Sequence, residues 1–364
     1  MARITEIATA RLVRELHTPF VTSLRRTTQV VSIVVRLRDS DGRTGYGEAP
    51  QVWRVTGESL DSIEACVHGP LAEAMLGFEP ASVEPAQVFG RLQAAVVANG
   101  GARAACEIAA VDLLARAAEL SLPAFLGGTA GPVRTDVTVA ADGAAWSPQR
   151  LASAGFDQVK IKVGLDPSDV QRVIAIHDSM PGVPVRLDAN QAWNLDSASA
   201  AVEALLDAGV PLEFLEQPLP AWDLAGHAEL RRRFGVPVVL DESVFSVHDL
   251  HRAIGAQAVD TVNIKLAKCA GLYAGIEIGH EAAAAGLGVM VGSMMESELG
   301  VSAAAALAAT LAPDRVHDLD AAWWSIDLGD AGTPYAAGRF RLSGSPGLAH
   351  AQQRVVPAHL EWRS

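Results

Sequence analysis

The sequence predicts an α/β protein, a barrel of the TIM type joined to a smaller α+β domain. Two observations carry the prediction. From about residue 134 onward, short β-branched runs alternate with Ala- and Leu-rich helical stretches at nearly constant spacing, while the first third reads as a hairpin followed by amphipathic helices. The 364 residues suffice for about two domains and a large buried core.

In chain order, ITEIATARLV and VVSIVVRLRDSDGRTGYGEA alternate as half-buried strands do, with Asp41-Gly42 as the hairpin turn. LDSIEACVHGPLAEAML, AQVFGRLQAAVV and GARAACEIAAVDLLARAAEL carry apolar residues at intervals of three and four, predicting helices that end near Gly or Pro. LPAFLGGTAGP, residues 122–132, is a Gly/Pro-rich connector. The α+β domain is therefore set at 1–125. Eight strand runs follow: TDVTVAA, QVKIKV, VPVRLDAN, LEFLEQP, VPVVLDES, TVNIKLA, LGVMVGSM and RVHDLD. From Lys162 through Asp188, Glu216, Asp241, Lys265 and Ser293 to Asp318, successive gaps are 26, 28, 25, 24, 28 and 25 residues, the length of one βα unit. Parallel strands covered on both faces read as apolar runs, so a barrel is placed over 130–330. The tail, 335–364, lacks such a unit and is expected to pack back on the N-terminal domain and complete it.

Composition narrows the partners. A net charge of -13 repels phosphate backbones and anionic lipid, and no basic patch offsets it. The N-terminal MARITEIATARLVREL lacks the apolar core of a signal peptide, and the least polar run, 282–295, is too short to span a bilayer. Cys66, Cys106 and Cys269 form neither a Cys-x-x-Cys nor a disulfide framework and read as buried thiols. The expectation is a cytoplasmic homo-oligomer acting on a small molecule, with no nucleic-acid or membrane partner.

Lysine usage locates the chemistry. Of 29 basic residues only Lys160, Lys162, Lys265 and Lys268 are lysines. A chain that uses Arg nearly everywhere has kept Lys where a cation must shed its proton. All four lie around the ends of two strand runs. Asp188, Glu216 and Asp241 end three successive runs between them, on the barrel face where active sites of this architecture lie. Any one of them could cap the helix that follows. Three together cannot all stay ionised without a cation, and their oxygens, with open positions for a substrate carboxylate, suit Mg²⁺.

Lys-Ile-Lys (160–162), Asp-Ala-Asn (188–190), Glu-Gln-Pro (216–218), Asp-Glu-Ser (241–243) and Asn-Ile-Lys (263–265) resemble the enolase superfamily in its muconate-lactonising-enzyme subgroup. GYGEAP, the helix around Asp112 and LPAFLGG look like that family's capping domain, so the resemblance spans nearly the whole chain. It implies a modified (β/α)7β barrel under an α+β capping domain. It also implies Asp188, Glu216 and Asp241 as Mg²⁺ ligands, with Lys162 and Lys265 as catalytic acid and base. The residue chemistry agrees: removing a proton α to a carboxylate builds an enediolate that needs positive charge at its oxygens. Lysines on the second and sixth of eight strands face that carbon from opposite sides. Lys160 shares a face with Lys162 and is expected to make it a usable base and to assist the substrate carboxylate. The seventh run carries no His base, and Lys268 reads as a loop or supporting residue.

Within the subgroup, Asp318-Leu319-Asp320, with NIKLAKC and GSMMES, resembles the dipeptide epimerases, which implies that Asp318 and Asp320 hold a substrate α-ammonium. Ala270-Gly271 stands where the family often has Gly-Gly. Thr138, Ser293 and Met295 are expected to contact substrate. Arg25, in the capping loop TSLRRTTQ, falls near where some dipeptide epimerases bind an acidic second side chain, while Trp53 in the second loop offers an apolar lid; which of them sets specificity is left open. The resemblance thus implies a Mg²⁺-dependent epimerase inverting the α-carbon of the C-terminal residue of an L,L-dipeptide. The alternatives are an N-acylamino-acid (N-succinylamino-acid) racemase, an o-succinylbenzoate synthase or a cycloisomerase with the same metal and lysines.

Overall fold

The computed structural model describes residues 2–142, 155–166, 168–326 and 332–364; the expected end of the barrel at 330 lies outside them. β1 (Ile4–Val21), β2 (Arg26–Asp39) and β3 (Thr44–Pro50) form an antiparallel sheet in that order. The β2–β3 turn is closed by Asp39, whose Oδ1 accepts from the N–H groups of Asp41 (3.0 Å) and Arg43 (2.9 Å), with Gly42 at φ 83°. Helices Leu60–Cys66, Pro85–Ala95 and Gly100–Ala117 cover the sheet. The predicted helix over 60–76 is broken at Gly69-Pro70, where Pro has no N–H to donate; a wider turn, Val67–Leu71, joins Leu60–Cys66 to Ala72–Met75.

The long helix Gly100–Ala117 lies unusually close to β3. A Cβ on Gly45 would fall 2.0 Å from the Ala109 carbonyl oxygen, and one on Gly47 2.1 Å from that of Ala105, so only glycine fits at either position.

β4 (Pro132–Arg134) leads into the barrel strands β5 (Val137–Val139), β6 (Val159–Lys162), β7 (Val185–Asp188), β8 (Leu212–Glu216), β9 (Val238–Leu240), β10 (Thr261–Lys265) and β11 (Gly288–Gly292), all parallel and paired in sequence order. The eighth run is not a full strand. His317 bridges to Thr135 and Asp318 to Gly292, which closes the ring, and the chain then turns into the short helix Ala321–Trp324. Asp320 forces the turn, its Oδ2 accepting from Thr138 N (2.7 Å) and Trp324 Nε1 (3.0 Å).

The tail divides its contacts. β12 (Tyr335–Ala336) pairs with β13 (Arg339–Arg341), which pairs with β4, whereas Arg363 bridges to Thr9 of β1 and the Arg36 guanidinium lies 4.3 Å over the Trp362 ring. Buried carboxylates tie the N-terminal domain to the barrel through helix starts. Glu48, next to Gly47, accepts from Gly300 N (2.9 Å) and Ser297 N (3.1 Å) at the start of helix Glu298–Leu311. Glu107 accepts from Leu272 N (2.5 Å) and Tyr273 N (3.1 Å) at the start of helix Leu272–Ala284, and burial pushes its carboxyl up to about 8. Among the described residues no helix is long and apolar enough to cross a membrane.

Candidate active site

Alternation along the strands sends every second side chain into the barrel. In register, Lys162 on β6 lies beside Asp188 on β7, which lies beside Glu216 on β8. Lys265 on β10 lies beside Gly292 on β11, which bridges to Asp318. Gly292 is a spatial requirement of this arrangement, because a Cβ there would sit 2.7 Å from Lys265 Cε. The two rows meet at the C-terminal mouth of the barrel, where two loops of the N-terminal domain complete a cleft of ≈ 620 Å³ including its opening to solvent.

Arg25, Thr138, Lys162, Asp241, Lys265, Ser293, Met295, Asp318 and Asp320 all line this cleft. Lys160, Asp188 and Glu216 lie beneath it, almost fully buried. Trp53 does not line the cleft and is 62% exposed, whereas the next residue, Arg54, does line it.

Each lysine is held by carboxylates. Lys162 Nζ donates to Asp188 Oδ2. Lys265 Nζ donates to Asp241 Oδ2 at 2.8 Å and lies 3.6 Å from Asp318. Lys160 Nζ lies 2.5 Å from Asp318, 3.2 Å from Glu216 and 3.4 Å from Asp188. Burial opposes the charge on Lys160 and Lys265, but these anions outweigh it and hold both ammoniums above the ordinary lysine range. Conversely, the lysines hold Asp318 and Asp241 below the usual carboxylate range despite burial. Asp320 is raised by burial and by Asp318.

Lys268 emerges as a buried anchor. Its Nζ donates to the carbonyls of Asp241 (2.5 Å), Asn263 (3.1 Å) and Val244 (3.2 Å) and lies 2.5 Å from Asp241 Oδ1. Gln217 of Glu-Gln-Pro fixes the same loop, its Oε1 accepting from Asp241 N and Ser243 N, both at 3.0 Å.

Among the described residues no three His, Cys, Asp or Glu side chains converge closely enough to hold a metal ion, because the ammoniums sit between the carboxylates. The donor chemistry nevertheless fits a hard cation. Asn190 Oδ1 and Glu242 Oε2, both at the cleft wall beside Asp188 and Asp241, are buried with no hydrogen-bond donor among the described residues. Burial, Asp241 and Asp188 push the Glu242 carboxyl up to about 8. Among the described residues the barrel interior carries seven buried carboxylates (Asp136, Asp188, Glu216, Asp241, Glu242, Asp318, Asp320) against five buried cations (Lys160, Lys162, Arg186, Lys265, Lys268). Hard oxygen donors with negative charge to spare are what Mg²⁺ takes.

Asn190, Glu242 and Arg54 were not singled out from sequence. Period two from Asp188 puts Asn190 on the same face, and Glu242 adjoins Asp241, so both carried a readable signal. Arg54 carried none.

A parallel barrel with paired lysines and carboxylates at its mouth, covered by an α+β domain, defines the class: barrel enzymes of acid/base chemistry. The chain matches the mandelate racemase / muconate lactonizing enzyme N-terminal domain over residues 4–127 and the enolase C-terminal domain-like family over residues 142–352, and it belongs to that family, the muconate-lactonising-enzyme subgroup of the enolase superfamily. It is 35% identical to the L-Ala-D/L-Glu epimerase of Bacillus subtilis over 95% of this chain and 96% of that protein. The substrate-liganded structure of that epimerase superposes with a TM-score of 0.90, covering 95% and 98% of the two chains. A dipeptide epimerase of Enterococcus faecalis, complexed with Mg and L-Leu-L-Tyr, superposes at 0.86 with 30% identity over 95% and 99% of the two chains. The N-succinyl-L-Arg/Lys racemase of Bacillus cereus is 30% identical over 83% of this chain and 82% of that protein. With these relatives the protein is an isomerase acting on amino-acid derivatives.

Proposed function

We propose that this protein is a Mg²⁺-dependent dipeptide epimerase that inverts the α-carbon of the C-terminal residue of an L,L-dipeptide. The observation that carries it is the pair Lys162 and Lys265, which line one cleft from β6 and β10, four places apart around an eight-segment ring. A substrate carbon between them has one lysine on each face, so one takes the proton and the other returns it on the opposite side. Asp188, Glu216 and Asp241 would hold the metal. When bound, Mg²⁺ would supply Lewis-acid positive charge to the substrate carboxylate as the α-proton leaves. Asp241, with Asp318, is also what holds Lys265 as an ammonium, so the commitment of Asp241 to the metal would free that lysine to act as base. Lys160 stays pinned by Asp318 and Glu216 and supplies fixed positive charge from below the cleft.

Asp320 distinguishes the dipeptide reading from the N-succinyl one. It lines the cleft, and no donor reaches its Oδ1 among the described residues, so a substrate α-ammonium has an anion to meet. An N-succinyl substrate would bring another carboxylate to that position. Arg25, desolvated in the cleft wall and below the ordinary arginine range because of burial, supports an acidic side chain on the epimerised residue.

The test is a set of L,L-dipeptides and their N-acetyl and N-succinyl counterparts incubated with enzyme and Mg²⁺ in D₂O. Free dipeptides should gain one deuterium far faster than the blocked compounds. Lys162→Ala should retain exchange from one epimer only and Lys265→Ala from the other. Preference for N-succinylamino acids over every dipeptide would replace this reading with the racemase. Equal exchange from both epimers in both variants would refute the two-face mechanism.

A further inference from the structure

The two arginines of the cleft wall approach it from different sides. Arg25 sits in the β1–β2 turn, which is pinned to the loop after β7 by Ser23 Oγ donating to the Ala189 carbonyl at 3.0 Å. That places it on the side of Asp188 and Asn190. Arg54 sits in the loop after β3, where Val52 packs against Ala267 and Met294, next to the ends of β10 and β11. Asp318 bridges to Gly292 at the end of β11, so Arg54 lies toward Asp318, while Asp320, held by Thr138 N of β5 and Trp324 Nε1, lies farther toward the Arg25 loop. Neither arginine makes an ion pair among the described residues, although most other arginines of this chain do. The lid therefore presents two separate positive charges to a cleft whose floor is acidic.

We propose that Arg54 is a specificity-determining residue that pairs with an acidic side chain on the N-terminal residue of the substrate, so that the preferred substrates are dipeptides acidic at both positions. This rests on the dipeptide reading above. In this proposal the α-ammonium is held between Asp318 and Asp320, the N-terminal side chain turns toward Arg54 and the β11 side, and the C-terminal side chain is left to Arg25. The two loops are anchored to different sectors of the ring, so each arginine is available to a carboxylate of its own. Arg54 acts only by charge and takes no part in proton transfer, and Trp53 beside it points away from the cleft.

The experiment compares L-Glu-L-Glu with L-Ala-L-Glu, in the wild type, Arg54→Met and Arg25→Met, each with Mg²⁺. The wild type should favour the diacid by about fivefold in kcat/KM, the upper end for an exposed ion pair, and through KM rather than kcat. Arg54→Met should abolish that advantage, bringing kcat/KM for L-Glu-L-Glu level with that for L-Ala-L-Glu in the same variant. Arg25→Met should weaken both substrates and keep the ratio between them. Arg54→Glu should invert the preference, favouring L-Lys-L-Glu over L-Glu-L-Glu. Equal kcat/KM for the two substrates in the wild type, or a diacid advantage that survives in Arg54→Met, would overturn the inference. Absence of turnover on every free dipeptide would instead overturn the dipeptide reading, so the two failures are distinct.

Discussion

Replacing Lys268 by Met tests whether Asp241 is held in place by a buried ammonium. The side chain of Lys268 is 0% exposed, and its Nζ serves three carbonyls and lies 2.5 Å from Asp241 Oδ1. Methionine keeps the length and removes the charge, leaving Asp241 with Lys265 alone and withdrawing the shared donor. Breaking one half of a buried pair costs about 3–5 kcal/mol. Unfolding entropy of about 2.1 cal/mol/K per residue gives roughly 0.76 kcal/mol/K for a chain of this length, so the apparent midpoint should fall by about 4–7 °C. Scanning calorimetry reads this directly, with Arg232→Met as the control, since the Arg232–Glu229 pair is a helix-surface bridge with Arg232 74% exposed and should move the midpoint by less than about 1 °C. A loosened Asp241 should also raise the Mg²⁺ concentration for half-maximal activity more than it lowers kcat. A midpoint and Mg²⁺ dependence both matching the wild type would refute the anchoring role and leave Lys268 a loop cation.

Glu216→Gln should weaken Mg²⁺ binding about tenfold or more in titration calorimetry without substrate, because a neutral amide replaces one of three anionic oxygens; unchanged affinity would remove Glu216 from the ligand set. Glu296 tests the pH dependence of stability. Burial and Glu48 push its carboxyl up from 4.5 to about 8, so the folded state keeps a proton that the unfolded state releases, and stability falls as pH rises from 4.5 to 8, by about 1.4 kcal/mol per unit. Glu296→Gln removes that slope: its melting point should match the wild type near pH 4 and exceed it increasingly toward pH 8, and a constant difference across that range would contradict the assignment.

The barrel was legible because each βα unit must bury one strand on both faces and return along one helix, which imprints a period near 26 residues whatever the side chains. What the period hid was closure. RVHDLD alternates like a strand, yet only His317 and Asp318 bridge to neighbours, since Asp320 is drawn sideways to Thr138 N and Trp324 Nε1 and ends the extended chain. The Gly69-Pro70 break was hidden for a similar reason, because apolar spacing continues across it while the hydrogen bonding does not. Residues 335–341 were expected on the N-terminal domain and instead form a hairpin whose second strand pairs with β4, a long-range choice that local pattern does not encode.

At the site, residue types at strand ends announced which groups share a face, and all the charged groups so picked out lie at the mouth or just beneath it. Pairing was not legible, because it depends on which end of a long side chain reaches which neighbour. Lys160 reads from sequence as a partner of Lys162, but its ammonium is spent on Asp318, Glu216 and Asp188, one layer below the cleft. The layer beneath is charged too: Arg186 donates to Asp136 at 2.9 Å and to Glu213 at 2.8 Å, where TIM-type interiors usually carry branched apolar residues. Desolvation makes such a column unstable unless each charge is met, and the carboxylate excess shows where it is not. Burial first, and the neighbouring carboxylates after it, raise Asp136 and Glu242 to about 8, and among the described residues Glu242 Oε2 and Asn190 Oδ1 have no donor. Two of those unmet groups stand at the mouth, beside the carboxylates that sequence alone assigned to a metal. A divalent cation at the mouth would discharge this excess where it is concentrated.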